Sequence, residues 1–465
     1  MEVSSSWDLV ILGSGPGGEA AAMRATKGGL RVAMVDRELS VGGSCTHLGT
    51  IPSKALRHQV RQLVRHYRNP LLHGIIEAPR VSWPQLVARS KDVVDAQVGV
   101  HINHYQRNRV TIFPGHGRLA GPGKVIVSGD DGNEVELETR DVLLATGSRP
   151  YHPDDVDFTH PRVYDSDTLL SMKNTPRHLI IYGAGVIGCE YASLFAGMGI
   201  RVDLINTRDH LLDFLDTEIT DALSYHLREQ GVTVRHGESY ASVEPDDHGV
   251  TLRMESGKSI RADALLWSNG RTGNTQSVGL ESVGLTANGR GLLEVDHRYK
   301  TAVAGVYAVG DVIGWPSLAS AAYDQGRYCA GGLCGEVEKR VTDVPTGIYT
   351  IPGISSVGST EQELTAEKVP YEVGQAFFRD LARAQITGEQ VGMLKLLFHS
   401  KTRAVLGIHC FGYQATEIVH VGQAIMRQPA PNNTIDYFID TTFNYPTMAE
   451  AYRMAAINGM NRIRR

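Results

Sequence analysis

The sequence predicts an α/β protein with two nucleotide-binding units and a differently patterned C-terminal region, and three observations predict it. Leu9-Val-Ile-Leu-Gly13-Ser-Gly15-Pro-Gly17-Gly18 is an apolar run entering a glycine turn, followed by a small-residue helix and the strand Arg31 to Val35. Leu179-Ile-Ile-Tyr-Gly183-Ala-Gly185-Val186-Ile187-Gly188 repeats that pattern, followed by another helix and the strand Val202 to Ile205. Strand, glycine turn, helix and strand in succession is the setting that a dinucleotide fingerprint requires. One such string is a weak signal; two in the right context imply a protein that holds two nucleotides. From Pro345 onward, strands and helices continue without any such loop, which predicts a separate domain.

Each piece of the two units has a chemical reason. Gly13 permits the sharp turn after the strand, Gly15 lets backbone approach a pyrophosphate, and Gly18 lets the helix sit close to its strand. The helix N-terminus then faces the negative charge. Asp36 ends the second strand, where a carboxylate accepts hydrogen bonds from a ribose hydroxyl pair. Gly183, Gly185 and Gly188 repeat the three glycine roles in the second loop. There the strand ends in Asn206-Thr207-Arg208, with a neutral amide where NAD enzymes place an acid. Asn206 can bond a hydroxyl or a phosphate, and Arg208 adds charge for a 2′-phosphate. On this reading the second site takes both NAD and NADP; a solvated turn is the plainer alternative.

Two further buried strands end in small-residue turns: Leu143-Leu-Ala-Thr146-Gly147-Ser-Arg149-Pro150, and the run from Thr301 to Gly310-Asp311. Tyr323 to Cys334 reads as a helix. Bulk composition fits this plan. The 465 residues suggest three domains, at about 150 residues each. Hydrophobic content of 42% and charged content of 21% are ordinary for a globular chain. The net charge of −5 is spread without long single-sign blocks, so nothing recommends nucleic acid as a partner. The segment before Gly13 has no basic stretch leading into an apolar core, and no run reaches the roughly 18 apolar residues of a membrane span. A cytoplasmic protein is expected.

The five cysteines, Cys45, Cys189, Cys329, Cys334 and Cys410, are odd in number and scattered, against a secreted disulfide framework. Cys329 and Cys334 have the spacing of a redox pair. On a helix, however, they stand about 7.5 Å apart along the axis and about 140° around it, which predicts packing residues. His47, beside Cys45, points another way on a helix. The histidines show no metal-ligand spacing, and no metal is expected.

Val41-Gly42-Gly43-Ser-Cys45-Thr46-His-Leu-Gly-Thr50-Ile-Pro52-Ser-Lys54 resembles the active-site helix of the pyridine nucleotide–disulfide oxidoreductases, the family of glutathione reductase and lipoamide dehydrogenase. That family has two cysteines with four residues between them; here Thr50 replaces the second, the sulfur the family places against the flavin. Phe443-Asn-Tyr445-Pro-Thr-Met-Ala-Glu450 is similar to the family's C-terminal segment, whose histidine is the acid/base for thiol chemistry in the partner subunit. Tyr445 stands in that place, and a phenol with a pKa of about 10 serves poorly near neutrality. Thiol and proton partner are lost together, so the disulfide step is expected to be gone. What remains resembles the soluble pyridine nucleotide transhydrogenases of the same superfamily over essentially the whole length. Thr441-Thr-Phe-Asn-Tyr-Pro-Thr447 is the sharpest match.

The resemblance implies two Rossmann-like dinucleotide-binding domains, for FAD and NAD(P), and a C-terminal α+β interface or dimerisation domain. The FAD domain would comprise residues 1–150 and 275–344, the NAD(P) domain 151–274 and the interface domain 345–465. The implied activity is FAD-dependent hydride transfer, NADPH + NAD⁺ = NADP⁺ + NADH, by a ping-pong route through one nicotinamide site. Lys54 and Glu190 would tune the flavin and nicotinamide. Besides the residues already read, FAD would be contacted by Gly17, Arg37, Gly42, Gly43, Cys45 and Thr46. Gly117, Thr146, Gly147, Arg271, Gly310 and Asp311 would complete that site, and Val186, Ile187, Thr207 and Gly270 the NAD(P) site. Self-association as a homodimer or larger homo-oligomer is implied. The rivals are a single-cysteine NAD(P)H oxidase or peroxidase using Cys45, and a low-turnover flavin redox sensor.

Overall fold

The computed structural model describes residues 6–67, 69 and 81–463, so the start of the N-terminal segment read above for targeting lies outside the described residues. Leu9 to Leu12 are almost fully buried, as a parallel strand covered on both faces must be. They belong to the strand Ser6–Leu12, which pairs in parallel with Val32–Asp36 on one side and Glu134–Leu144 on the other. Thr111–Pro114 extends the sheet beyond Val32–Asp36, and Val306–Ala308 joins it beside Glu134–Leu144. Glu134–Leu144 does double duty. Its first half also takes Lys124–Ser128 antiparallel, and His116–Gly121 continues that flap.

The second sheet is parallel throughout, in the order Thr233–Arg235, Arg201–Ile205, His178–Tyr182, Ala264–Trp267, Val163–Asp165. A three-stranded antiparallel sheet, from Tyr240–Asp246 to Ser259–Ala262, lies on it. Ser148–Pro150 and Arg271–Gly273 pair antiparallel at the two crossings between the nucleotide units. The C-terminal region forms a five-stranded antiparallel sheet, from Thr346–Ile348 to Tyr371–Phe377 in spatial order. The helix Glu450–Ile463 packs on it so closely that a Cβ at Gly374 would lie 2.2 Å from the Ala455 carbonyl oxygen.

Several elements differ from expectation. The strand after Thr301 is confined to Val306–Ala308, and Gly310–Ile313 is a short 3₁₀ turn. The expected helix from Tyr323 runs instead over Ala319–Leu333, with Cys334 as its cap. Its first turns close on the loop helix Pro16–Lys27: a Cβ at Gly17 would lie 3.2 Å from the Ala322 carbonyl oxygen, and one at Gly326 2.0 Å from that of Gly17. The expected single helix around Cys45 is two, Gly43–His47 and Thr50–Tyr67, broken at Leu48-Gly49. All five cysteines are free.

Lys395, fully buried in the C-terminal sheet, ties that sheet to the second nucleotide unit. Its Nζ lies 2.8 Å from Asp216 Oδ1 and 3.0 Å from Glu218 Oε2, and also contacts Glu361. Those three carboxylates converge as metal ligands would, but the ammonium occupies their centre. Burial by itself pushes the Asp216 carboxyl up, yet His409 and Lys395 outweigh it and hold the group below its ordinary value. The sign follows: a carboxyl lowered in the folded state adds stability above its unfolded pKa of about 3.9, and that stability is lost as pH falls below it. Lys395→Met is expected to destabilise the fold by about 3 kcal/mol near neutrality, because the carboxylates then lose their cation. Urea unfolding at neutral and acid pH checks this; the loss should shrink as Asp216 protonates.

Candidate active site

Both glycine loops sit at the C-terminal ends of their parallel strands and open into one cleft of about 1150 Å³. That exceeds the pockets of roughly 300–1,000 Å³ that hold one ordinary small ligand. Gly15, Gly147 and Gly185 all line the cleft, and a Cβ at any of them would meet nothing within 4 Å. Thr146 Oγ1, on the same wall, is buried without a hydrogen-bond partner. Buried hydroxyls are normally satisfied, so open glycine cradles and an orphaned hydroxyl fit an extended polar ligand with a pyrophosphate. FAD meets that description.

The expected residues separate into two groups. Gly13, Gly15, Gly17, Asp36, Arg37, Gly43, Cys45, Thr50 and Lys54 line the cleft. So do Gly117, Thr146, Gly147, Gly270, Arg271, Gly310, Asp311, Gly185, Val186, Ile187 and Glu190. Gly18, Gly42, Thr46, Gly183 and Gly188 stand behind the surface. A Cβ at Gly18 would fall 1.9 Å from the Gly13 carbonyl oxygen, and one at Gly188 1.8 Å from that of Gly183. These glycines let each helix close on its own turn. Thr46 is buried, with Oγ1 3.2 Å from His101 Nε2.

Asp36 is engaged more deeply than a free ribose acceptor. Its Oδ2 accepts from the Ser14 N–H at 2.7 Å and the Ser14 hydroxyl at 2.5 Å, and its Oδ1 accepts from the Glu38 N–H at 3.0 Å. The Ser14 hydroxyl also accepts from the Gly42 N–H, so Asp36, Ser14 and Gly42 brace one another. Asp311 Oδ2 accepts from the Ser148 hydroxyl at 2.7 Å, and Arg271 holds Ser148 through Nε to the hydroxyl and Nη2 to the carbonyl.

Asn206 and Arg208 depart most from expectation. Asn206 is buried, and its Nδ2 donates to the Arg208 and His210 carbonyl oxygens at 2.8 and 2.9 Å. The amide organises its own loop and does not face a ligand. An acid in its place would set a carboxylate against two carbonyl oxygens, which explains why the amide stands there. Arg208 is exposed and ion-paired with Asp213. Asn206, Thr207 and Arg208 lie outside the cleft lining.

Lys54 and Glu190 meet across the cleft, although 136 residues separate them. Lys54 lies near the start of the helix Thr50–Tyr67 and Glu190 in that of Val186–Gly197. Nζ lies 2.8 and 3.1 Å from the two carboxylate oxygens, and Glu190 Oε1 also accepts from the Tyr349 N–H at 2.9 Å. The pair is a charge-assisted contact with the carboxylate nearly buried. The contributions of Ser14, Ser148 and Tyr349 have no motif signal in the sequence; each is visible only through its partners.

Glu19, in the first turn of the loop helix, is a buried carboxylate facing two histidines. Its oxygens lie 2.9 Å from His101 Nδ1 and 3.0 Å from His104 Nδ1. Burial pushes Glu19 up, but the two histidines more than offset it and leave its pKa lowered.

Cys45 shares the cleft with Thr50 and Lys54 but with no second cysteine. Burial raises its pKa, only partly opposed by a hydrogen bond with Thr50 and by the Lys54 charge. The thiolate is the reactive form, so Cys45 is a poor nucleophile at neutral pH. Iodoacetamide is expected to alkylate it more slowly than free cysteine at pH ~7, with the rate rising only above the ordinary thiol pKa of about 8.5. Stopped-time labelling with mass analysis measures this.

The model described as pyridine nucleotide-disulphide oxidoreductase matches residues 7–326, and that of the same family's dimerisation domain matches residues 344–456. The soluble pyridine nucleotide transhydrogenase of Pseudomonas syringae pv. tomato is 60% identical over 459 residues, covering 98% of this chain and 99% of its own length. The protein of that name from Hahella chejuensis is 60% identical over 458 residues, with the same coverage. Among solved structures, LpdA of Mycobacterium tuberculosis is similar with a TM-score of 0.89 at 27% identity, covering 97% of this chain and 99% of that one. The HOCl-induced flavoprotein disulfide reductase RclA of Escherichia coli gives 0.87 at 26% identity, with the same coverage.

Proposed function

This chain belongs to the pyridine nucleotide-disulphide oxidoreductase family, and from that premise we propose that it passes reducing equivalents from NADPH to NAD⁺, forming NADP⁺ and NADH. The observation that carries the reading is Cys45 with Thr50, one thiol where a disulfide would need two, beside an intact Lys54–Glu190 pair. Relatives at about 60% identity over nearly the whole chain bear the name soluble pyridine nucleotide transhydrogenase.

FAD, when bound, supplies the two-electron relay between the coenzymes. The chain supplies the rest. Gly15 and the N-terminus of Pro16–Lys27 receive the FAD pyrophosphate, while Asp36, braced by Ser14, addresses the ribose. Asp311, held by the Ser148 hydroxyl, would accept hydrogen bonds from the ribityl hydroxyls. Gly185, Val186 and Ile187 receive the coenzyme, one at a time, so donor and acceptor share one site. Lys54 would hold a fixed positive charge in the cleft into which both glycine loops open, and Glu190 would keep that charge in place. Arg208 would serve a 2′-phosphate only by exchanging its Asp213 partner for it, and Asn206 shapes the loop that carries Arg208. The two coenzymes have nearly equal potentials, so neither half-reaction faces a large thermodynamic barrier.

A nucleophilic Cys45, as an oxidase or peroxidase would need, is disfavoured by the burial that keeps the thiol protonated. The matched dimerisation domain supports assembly of the chain into a homodimer or larger homo-oligomer. No described helix is long and apolar enough to cross a membrane, and five free thiols fit the reducing cytoplasm. The test is anaerobic: NADPH is added to the FAD-loaded protein until the flavin absorbance is bleached, and NAD⁺ follows. Recovery of absorbance with formation of NADH is expected; absorbance that stays bleached removes the reading.

A further inference from the structure

The Lys54–Glu190 pair is supported from the C-terminal sheet. Residues 349–351 cross from the strand Thr346–Ile348 to the strand Gly353–Gly358 and touch the helices that carry both members of the pair. The Tyr349 N–H donates to Glu190 Oε1 at 2.9 Å, and the Ile351 N–H donates to the Ser193 hydroxyl at 3.1 Å on the same helix as Glu190. The Thr350 carbonyl accepts from Arg57 Nε at 2.8 Å, on the Lys54 helix. One short strap thus spans both helices.

The Tyr349 side chain adds a contact of a different kind. Its ring centroid lies 4.8 Å from Lys54 Nζ and 5.6 Å from Arg57 Cζ, both within cation–π range. The ring lines the cleft with Lys54 and Glu190. Burial, with Glu190 and Glu417 nearby, raises the phenol above its ordinary pKa despite Arg57, so it stays neutral. Gly347 makes room for it: a Cβ there would lie 3.2 Å from Tyr349 Cε2. An ammonium on a flexible four-carbon stem has many rotamers to lose. Glu190 fixes its charge from one direction, and an aromatic face fixes it from another.

We infer that Tyr349 is a positioning residue for Lys54: its backbone N–H holds Glu190 and its ring holds the ammonium, so the C-terminal region sets the charge in the cleft. This rests on the assignment of Lys54 to the reaction. The ring provides the effect, since any residue but proline at this position keeps the N–H.

The test compares Tyr349→Leu, which removes the ring, with Tyr349→Phe, which keeps it, and with Lys54→Met as reference. The readouts are the midpoint potential of the bound flavin by anaerobic dye titration, kcat with NADPH and NAD⁺, and the melting temperature. Tyr349→Leu is expected to shift the potential to more negative values, in the direction of Lys54→Met, and to lower kcat about tenfold, equivalent to about 1.4 kcal/mol. KM should change less than kcat, and Tyr349→Phe should match the parent on all counts. Should Tyr349→Leu not fold, Gly347→Ala, whose new methyl crowds the ring, takes its place, with a smaller shift of the same sign expected. An unmoved potential in the ring-removing or ring-crowding variant, with a shift in Lys54→Met, overturns the role of Tyr349 alone. Equal shifts in Tyr349→Phe and Tyr349→Leu assign the effect to the hydroxyl and also overturn it. No shift in Lys54→Met overturns the assignment of Lys54 on which the inference stands.

Discussion

Lys54→Met is expected to lower NADPH-to-NAD⁺ turnover by about 10²–10³-fold, the loss seen when one fixed donor to developing charge is removed. Methionine nearly matches the lysine stem in length and flexibility, so the change removes charge with little change in packing. Nζ bonds both Glu190 oxygens, and Glu190 is nearly buried. The variant therefore also leaves that carboxylate with the Tyr349 N–H as its remaining close donor. FAD content and melting temperature of the variant separate lost chemistry from lost folding. Parental kcat in an FAD-loaded Lys54→Met protein would remove Lys54 from the reaction.

Gly18→Ala is expected to yield protein that loses most of its FAD on purification, because the added carbon has nowhere to go. It would lie 1.9 Å from the Gly13 carbonyl oxygen and 3.3 Å from Ile11 Cγ2. Gly13 itself holds φ at +107°, a conformation open to glycine and costly for other residues. Either the helix leaves its strand or the turn deforms, and both misplace the pyrophosphate cradle. Overpacking of this kind costs about 1–3 kcal/mol, a weakening of about 5- to 150-fold if it falls on the ligand-competent state. Gly15→Ala is the informative contrast. Its Cβ meets nothing within 4 Å, so the unliganded fold should keep its stability while FAD binding weakens. Urea midpoints and flavin titration of the two variants test that division. Equal FAD affinity in Gly18→Ala and the parent would show that the turn tolerates the displacement.

The two readings that transferred best from sequence to structure were local ones. A strand, a glycine turn and a helix are contiguous in the chain, and the steric demands of the turn leave glycine as the residue that meets them. The two loops were therefore legible, and the structure opens both into one cleft. The break between Gly43–His47 and Thr50–Tyr67 and the early start at Ala319 were not legible. The second goes with the close approach of Ala322 and Gly326 to Gly17, which lies far away in the chain. Asn206 was read as a ligand contact because its place at the strand end is local, but the direction of its amide is set by the carbonyls of Arg208 and His210.

The sequence by itself determined the two nucleotide loops, Cys45 with Thr50 as the fifth residue after it, and a tyrosine at 445, since each is a matter of which atoms a position carries. The family resemblance pairs Lys54 with Glu190; only the tertiary structure decided that Lys395 fills the centre of three carboxylates and that Tyr349 reaches that pair from the C-terminal sheet. Those contacts join residues far apart in the chain, and no periodicity or spacing encodes them. They exist because buried charges find partners wherever packing of the helices and sheets brings partners within reach.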